Sequence, residues 1–431
     1  MIPSRHTTHS AAAAVIGGGP AGLVAALALA HFRVRTVLVA ERPLPSPSPA
    51  CGGGKGGGGR TDNRTTALMA TSVTALEALG VWERCRGQAA PLRTLRIADD
   101  TGRLWRAPEL RFEAAEIGRE AFGWNIENVH LLAALSARAA DMPELTRIEA
   151  AARTVQIDDD GATVALADGS TLSCALVVGA DGRGSRCRAA AGIAIEPRTM
   201  AQTALTFTLG HDRPHHDIST EFHTANGPFT LVPLPGLRSS LVCVTTAADA
   251  ERLGPLSGAA LDREIERRAH SILGKVRVEP GRGAFSLAVG TATRFAANRI
   301  ALVGEAAHQF PLIGAQGLNL GLRDAVTIAE IAGEIDRAGG DIGSAQATAE
   351  YDRRRRGDVI GRTVAVDLLN RSLLTDFLPA QGLRGLGLYL LGHVGPLRRA
   401  VMREGVAPSG ALPALMREDG RNDALSHAGS V

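Results

Sequence analysis

The run Leu302-Val303-Gly304-Glu305-Ala306-Ala307-His308-Gln309-Phe310-Pro311-Leu312-Ile313-Gly314-Ala315-Gln316-Gly317-Leu318-Asn319-Leu320-Gly321-Leu322-Arg323-Asp324-Ala325 concentrates residues able to do chemistry. It reads as a buried strand over 300–303, a loop of small residues, and a helix opening near Leu318. Gly314 and Gly317 carry no side chain, so the backbone there can come close to a flat ligand. The free N–H groups and positive dipole end of the helix favour negative charge beside them. The chemistry this suits is the holding of a planar group that carries charge along one edge.

A second constellation lies near the start. Ala13 to Ile16 reads as a buried parallel strand, and Gly17-Gly18-Gly19-Pro20-Ala21-Gly22 follows it as a GxGxxG turn. Gly17 makes the tight turn, Gly19 lets the backbone reach a pyrophosphate, and Gly22 lets the next helix pack on its strand. Thr36 to Ala40 is a second strand ending at Glu41, where an acid can hold ribose hydroxyls. Ala11 to Phe32 is apolar enough to suggest a membrane span, but the glycine–proline cluster interrupts it, and strand–turn–helix explains it better. A third constellation is Leu176-Val177-Val178-Gly179-Ala180-Asp181-Gly182-Arg183-Gly184-Ser185-Arg186-Cys187-Arg188, a short apolar strand running into a sharp Asp-Gly turn.

The elements around these sites follow from pattern. Residues 41–60 are Pro-rich and then Gly-rich, a loop; Lys55 precedes no Ser or Thr, so it is no Walker loop. Leu68 to Leu79 and Val129 to Ala140 read as helices, and Arg153 to Ala167 as a hairpin around Asp158-Asp159-Asp160-Gly161. Thr203 to Arg294 breaks into short alternating stretches separated by Pro and Gly, an antiparallel sheet with one helix over about 257–273. His211, His215, His216 and His223 lie there, but no carboxylate or Cys completes a familiar metal spacing, so no metal site is expected. Thr348 to Asn370 reads as a helix with Arg353-Arg354-Arg355-Arg356 on its solvated side; contact with an anionic membrane is the minority reading of that run. Met1 to Ser10 and the stretch from Ala407 read as poorly ordered.

Bulk numbers bound the function. A chain of 431 residues needs two or three joined subdomains. A net charge of +3 argues against a nucleic-acid partner. Five Cys without CxxC or zinc spacing fit reduced thiols in a cytoplasmic protein. Aromatic residues are only 3%, so any apolar pocket must be mostly aliphatic.

The late run resembles the second FAD signature of the flavin aromatic hydroxylases, and within them the ubiquinone-biosynthesis hydroxylases. Gln316, Gly317, Asn319, Gly321 and Asp324 match Gln-Gly-x-Asn-x-Gly-x-x-Asp. Gly304-Glu305 stands where Gly-Asp or Gly-Asn is usual. Asp62-Asn63-Arg64-Thr65-Thr66-Ala67-Leu68 is similar to the family's Asp-x-Arg-x-x-Ala-Leu, and 181–188 to its middle Asp-Gly-x-x-Ser-x-x-Arg. The resemblance implies an α/β fold of the p-hydroxybenzoate hydroxylase type: a Rossmann FAD domain (11–75, 110–192, 285–345), an inserted antiparallel substrate domain (76–109, 193–284) and C-terminal helices (346–431). It implies FAD on Gly17, Gly19, Pro20, Ala21, Gly22, Glu41, Arg42, Arg64, Asn128, Asp181, Gly304, Glu305, Gly314, Gln316, Gly317, Leu318 and Asn319. It further implies a cycle in which NAD(P)H, or a separate reductase, reduces FAD, oxygen adds at C4a, and the hydroperoxide passes OH to a phenolic ring. Pro311 and the backbone of 313–317 would line that site, and His308 is the candidate base there. An aliphatic pocket suits a polyprenyl phenol, with a ubiquinone-biosynthesis complex and peripheral contact with the inner membrane as further expectations. Two alternatives stand beside this: an FAD hydroxylase of a soluble aromatic catabolite, and a non-catalytic flavin-fold binding protein.

Overall fold

The computed structural model describes residues 7–41, 64–102, 108–196, 198–310, 316–374, 393–406 and 412–417. Arg42, Pro311, Gly314 and the Gly-rich run lie outside the described residues.

A six-stranded sheet forms the spine, in the order β20 (Ala296–Ala297), β21 (Ile300–Leu302), β13 (Leu176–Gly179), β2 (Ala13–Ile16), β3 (Thr36–Val39), β9 (Leu145–Ile148). All neighbours except β20 and β21 pair in parallel. Strands β2, β3 and β13 are buried along their whole length, as expected of a parallel sheet covered on both faces. The helix α1 (Pro20–His31) has no polar face, and Gly22 to Ala30 are all buried. It packs against the sheet and against α3 (Asn128–Ala140) and α7 (Gln316–Arg337), so apolar residues all round its axis find partners.

A second, four-stranded sheet runs β1 (Thr8–Ser10), β12 (Thr171–Cys174), β11 (Ala162–Leu166), β10 (Ala152–Ile157). This corrects the expectation for the N-terminus: residues 8–10 are held in parallel register with Thr171–Ser173. A short polar strand carries no alternation, so its order comes only from a distant partner.

The largest sheet has nine strands: β22 (His308–Gln309), β19 (Gly283–Thr291), β14 (Arg198–His211), β17 (Arg238–Thr246), β16 (Gly227–Leu234), β15 (Ile218–Thr224), β6 (Thr94–Asp100) and β7 (Leu110–Glu113), with β18 (Val276–Val278) also on β14. One face is closed by α5 (Ala247–Leu253) and α6 (Gly258–Arg268) over Leu205, Phe207, Phe222, Leu231 and Leu241. The other face looks toward a three-stranded sheet of β4 (Thr65–Met69), β8 (Gly123–Glu127) and β5 (Ala89–Pro91). Asn125 on β8 fastens the two sheets, donating from Nδ2 to Pro233 O at 2.8 Å and to Ser240 Oγ at 3.1 Å.

The other α-helices among the described residues are α2 (Ala70–Ala78), α4 (Arg186–Ala190), α8 (Ala345–Leu374) and the helix Gly395–Val406. Packing moves several expected boundaries. Leu76, Leu79, Val81 and Trp82 join the core of the nucleotide domain, β7 joins the large sheet, and Tyr351 and Val359 belong to the main core. The C-terminal stretch also departs from expectation, because Leu415 and Met416 are buried in that same core. Glu330 on α7 holds them there by accepting the Ala414 N–H at 2.6 Å. Among the described residues no helix is long and apolar enough to cross a membrane.

Candidate cofactor and active site

The first glycine turn is built by close approach. Gly17 has φ +122°, and a Cβ there would sit 2.2 Å from Ala180 O at the end of β13. A Cβ on Gly22 would sit 2.0 Å from Gly17 O, so α1 lies directly on the turn. Gly19 differs: nothing lies within 4 Å of its Cβ position. It is the extended N-cap of α1, with Pro20 after it and no side chain capping the helix. The N–H groups of Ala21 and Gly22, ahead of the first helical bond from Leu23 N to Gly19 O at 2.9 Å, are therefore left to a ligand. Glu41 is exposed just beyond β3. On the next element, Arg64 and Asn128 are brought together by the β4–β8 pairing: Asn128 N donates to Arg64 O at 2.9 Å. Asn128 is the first residue of α3 rather than its cap, and its Oδ1 accepts the Thr66 hydroxyl at 2.6 Å.

Asp181 spends its carboxylate on the turn it starts. It accepts from Ser185 Oγ at 2.5 Å, Arg186 N at 2.7 Å and Cys187 N at 3.1 Å, while Ser185 Oγ accepts Arg188 N at 2.9 Å. Arg188 then bolts this turn to the late one, donating to Ala306 O at 2.9 Å and to Arg183 O at 2.8 Å. Glu305 points outward and meets Arg183 at 3.2 Å. Both side chains are exposed, so Arg183→Ala is expected to change unfolding free energy by no more than about 1 kcal/mol. Urea denaturation checks this, and a larger loss would mean the pair fastens the two turns.

The late turn meets the first one. Gly304 has φ +60°, and a Cβ on Gly321 would lie 3.1 Å from Gly304 Cα and 3.4 Å from Ala21 Cβ. The helix α7 begins at Gln316, two residues before the expected Leu318. Gly317 is exposed, with nothing within 4 Å of its Cβ position, and Leu318 beside it is half-buried. Asn319 turns inward. Its Oδ1 accepts from Met69 N at 2.8 Å and Ser72 Oγ at 2.7 Å, and its Nδ2 donates to Ala67 O at 2.8 Å. One amide thus holds the end of β4 and the start of α2 against α7. Asn319→Ala would leave Met69 N and Ala67 O unsatisfied, a loss of about 1–3 kcal/mol readable as a lower urea midpoint.

Beneath the turn lies a buried ionic network that sequence reasoning missed. Asp324, fully buried, accepts from Gly304 N at 3.0 Å, His308 Nε2 at 2.6 Å and Arg355 Nε at 2.6 Å. Arg355 and Arg323 both reach Asp358 at 2.8 Å. Burial pushes the Asp324 carboxyl up, but His308 and Arg355 beside it together outweigh this and hold it below the ordinary carboxylate range. The Arg353–Arg356 run is accordingly no uniformly solvated face: Arg355 is only 2% exposed, and Arg354 reaches Glu330. His308 is 1% exposed, its Nε2 is taken by Asp324, and its Nδ1 is buried without a partner. In this arrangement His308 supports the turn from behind. Burial also pushes Cys85 up to about 11 and Cys174 up to about 12, so neither supplies a thiolate nucleophile at neutral pH.

Three separated glycine and acid turns therefore converge on one groove. The FAD binding domain family matches residues 10–357 of this chain. The protein of Rhodospirillum rubrum named ubiquinone hydroxylase UbiL is 34% identical to it over 391 residues, covering 90% of this chain and 88% of that one. This chain is an FAD-dependent aromatic hydroxylase of the ubiquinone-biosynthesis family. The 3-demethoxyubiquinol 3-hydroxylase of Escherichia coli is 29% identical to this hydroxylase over 393 residues, 90% of this chain and 97% of that protein. The fold is that of p-nitrophenol 4-monooxygenase PnpA from Pseudomonas putida, with a TM-score of 0.71 at 19% identity over 94% of this chain and 99% of that one.

The hydroxylase's groove fits FAD on its own geometry. The open face of Gly19 with the uncapped start of α1 suits a diphosphate, and the open Gly317 at the start of α7 suits a planar ring. Facing the groove, the large sheet is hollow. Thr206, Val242 and Thr230 form one in-register row across three central strands, yet each keeps part of its surface exposed. Val232 beside them is also half-buried. The same face is packed elsewhere, at Ala204, Thr208, Ser240 and Val244, and Asn125 sits on it at Ser240, so among the described residues this row marks a partly open hollow within a covered face. His211 and His215 lie outside the hollow and spend ring nitrogens within their own sheet, on Arg213 O, Ser239 Oγ and Leu234 O.

Proposed function

We propose that this hydroxylase places one oxygen atom on the ring of a polyprenyl phenol in ubiquinone biosynthesis. The reading rests on the hollow: a half-open sheet face carrying Val242 and Val232 beside Thr206 and Thr230, placed to take a ring and the start of an isoprenoid chain. The names of the Rhodospirillum and Escherichia coli relatives support it. FAD, when bound, supplies the activation of oxygen and its transfer to an electron-rich ring. The protein's residues bind, orient and exclude water. Gly17, Gly19, Pro20, Ala21 and Gly22 hold the diphosphate, Glu41 holds the adenosine ribose, and Arg64 and Asn128 hold the middle of the cofactor. Gly304, Gly317, Leu318 and Asn319 shape the floor under the ring. Asp181 fixes the turn that the cofactor crosses, Glu305 stands exposed beside the late turn, and Gln316 opens α7. His308 holds the late turn in place. NAD(P)H supplies the electrons, and a polyprenyl tail brings the enzyme to its substrate at a membrane surface. Cells deprived of the protein are expected to accumulate an under-hydroxylated quinone precursor. An unchanged quinone profile in such cells would remove the assignment.

A further inference from the structure

The row across the hollow continues onto two more strands. Thr206, Val242 and Thr230 are followed in register by Glu221 on β15 and Ile97 on β6. Two residues further along β15, on the same face, stands His223. Its Nε2 lies 2.7 Å from Glu221 Oε1, and Glu221 Oε2 accepts the Thr230 hydroxyl at 3.2 Å. A carboxylate oxygen only accepts, so Nε2 donates, and in the neutral ring the lone pair is then on the second nitrogen, Nδ1. The side chains are 9% and 23% exposed, and their register neighbours on this face are Thr230, Pro228, Ile97 and Asp99.

A structural reading of this pair explains little. Glu221 and His223 sit on one strand, so their bond ties no two elements together. Their neighbour Thr230 is on a strand already paired with β15 through the backbone. A largely buried polar pair costs desolvation that a Val–Thr pair at the same positions would not. A histidine oriented by a carboxylate, beside the half-exposed Thr230, has the arrangement a general base needs. Among the described residues, the other charged group facing His223 is Asp99, its register partner on β6, held by the Thr101 N–H at 3.1 Å and hydroxyl at 2.7 Å. The partner on β16 is the uncharged Pro228.

We propose that His223 is a catalytic base of the hydroxylase and Glu221 its positioning residue. This rests on the phenol-hydroxylase reading above. The phenolic O–H bond breaks and an N–H bond forms at His223 Nδ1. The products are a phenolate, more electron-rich than the phenol, and an imidazolium paired with the Glu221 carboxylate. No electrons change hands in this step. Once the ring has been hydroxylated, the imidazolium returns the proton to the product oxygen.

The experiment uses dithionite-reduced holoenzyme mixed with oxygenated buffer in a single turnover, so no electron donor enters. The probe is 2-farnesylphenol; its methyl ether, 2-farnesylanisole, has no proton to give. Wild-type enzyme is expected to hydroxylate the phenol with a rate that falls toward acid pH. In His223→Gln that rate should drop about 100-fold or more and lose its acid limb. FAD content and the flavin spectral shift caused by the anisole should stay as in wild type. Glu221→Gln keeps the imidazole but removes the charge that stabilises the imidazolium, so its acid limb should move to lower pH. It also tests the proposal should His223→Gln fail to fold. If wild type hydroxylates the phenol and both variants keep its rate and pH profile, the base assignment is wrong and the phenol-hydroxylase reading stands. If wild type neither shifts its spectrum nor hydroxylates the phenol, both fall.

Discussion

Asp324→Ala is expected to lower the unfolding free energy by about 3–5 kcal/mol and to release flavin from the purified protein. Asp324 is the only described group joining Gly304 N, His308 and Arg355, so its removal strands three donors at once. Arg355 is the costly one, a buried guanidinium left with Asp358 as its partner. Removing both ends tests this account. Asp324→Ala with Arg355→Met leaves no unpaired charge, and part of the lost stability should return. Urea unfolding followed by bound-flavin absorbance reads both effects. If the single variant stays within about 1 kcal/mol of wild type, the network is ornamental. The same network sets a pH dependence. For Asp358, burial pushes the carboxyl up and Arg355 and Arg323 more than reverse it, so Asp324 and Asp358 both sit below the ordinary range. A depressed folded value means stability present above the unfolded carboxyl range, about pH 4, and lost as pH falls toward the folded values. The urea midpoint of wild type should hold down to about pH 5 and then fall, and the fall should be shallower in Asp324→Ala.

Local chemistry made much of this legible in the sequence. The buried strand, glycine turn and helix at 13–31 need only neighbours within a few residues, and so do the alternating strands of the large sheet. What escaped was decided by partners far along the chain. The four-arginine run reads as solvated because nothing near it says that Arg355 will meet Asp324 on another helix. Residues 8–10 and 412–417 have no pattern of their own and are ordered by β12 and by Glu330. The Glu221–His223 pair is visible only once β15 has a face. Motifs also name residues without saying which atoms are spoken for. Asp181 and Asn319 stand where the flavin signatures place them, yet their side chains cap a helix and bind a strand. What they offer a cofactor is a fixed turn.

The glycines of the first turn separate fold from binding. In Gly17→Ala, positive φ alone costs about 1–2 kcal/mol. The new methyl would also stand 2.2 Å from a carbonyl of the neighbouring strand, so β2 and β13 must part. The sum is expected to reach about 3 kcal/mol or more, giving a poorly folded, colourless protein. Gly22→Ala should behave alike, because its methyl would meet Gly17 O at 2.0 Å. Gly19→Ala is the decisive contrast. Its backbone, at φ −72° and ψ 173°, accepts alanine without strain, and no protein atom lies within 4 Å of the added carbon. The apoprotein should therefore unfold at the wild-type urea midpoint or slightly above it. FAD affinity should nonetheless fall about tenfold or more, roughly 1.4 kcal/mol, because the methyl takes space the diphosphate needs. Flavin fluorescence titration measures it. A Gly19→Ala protein that binds FAD as tightly as wild type would mean the diphosphate does not cross that glycine, and the cradle assigned to residues 17–22 would have to be redrawn.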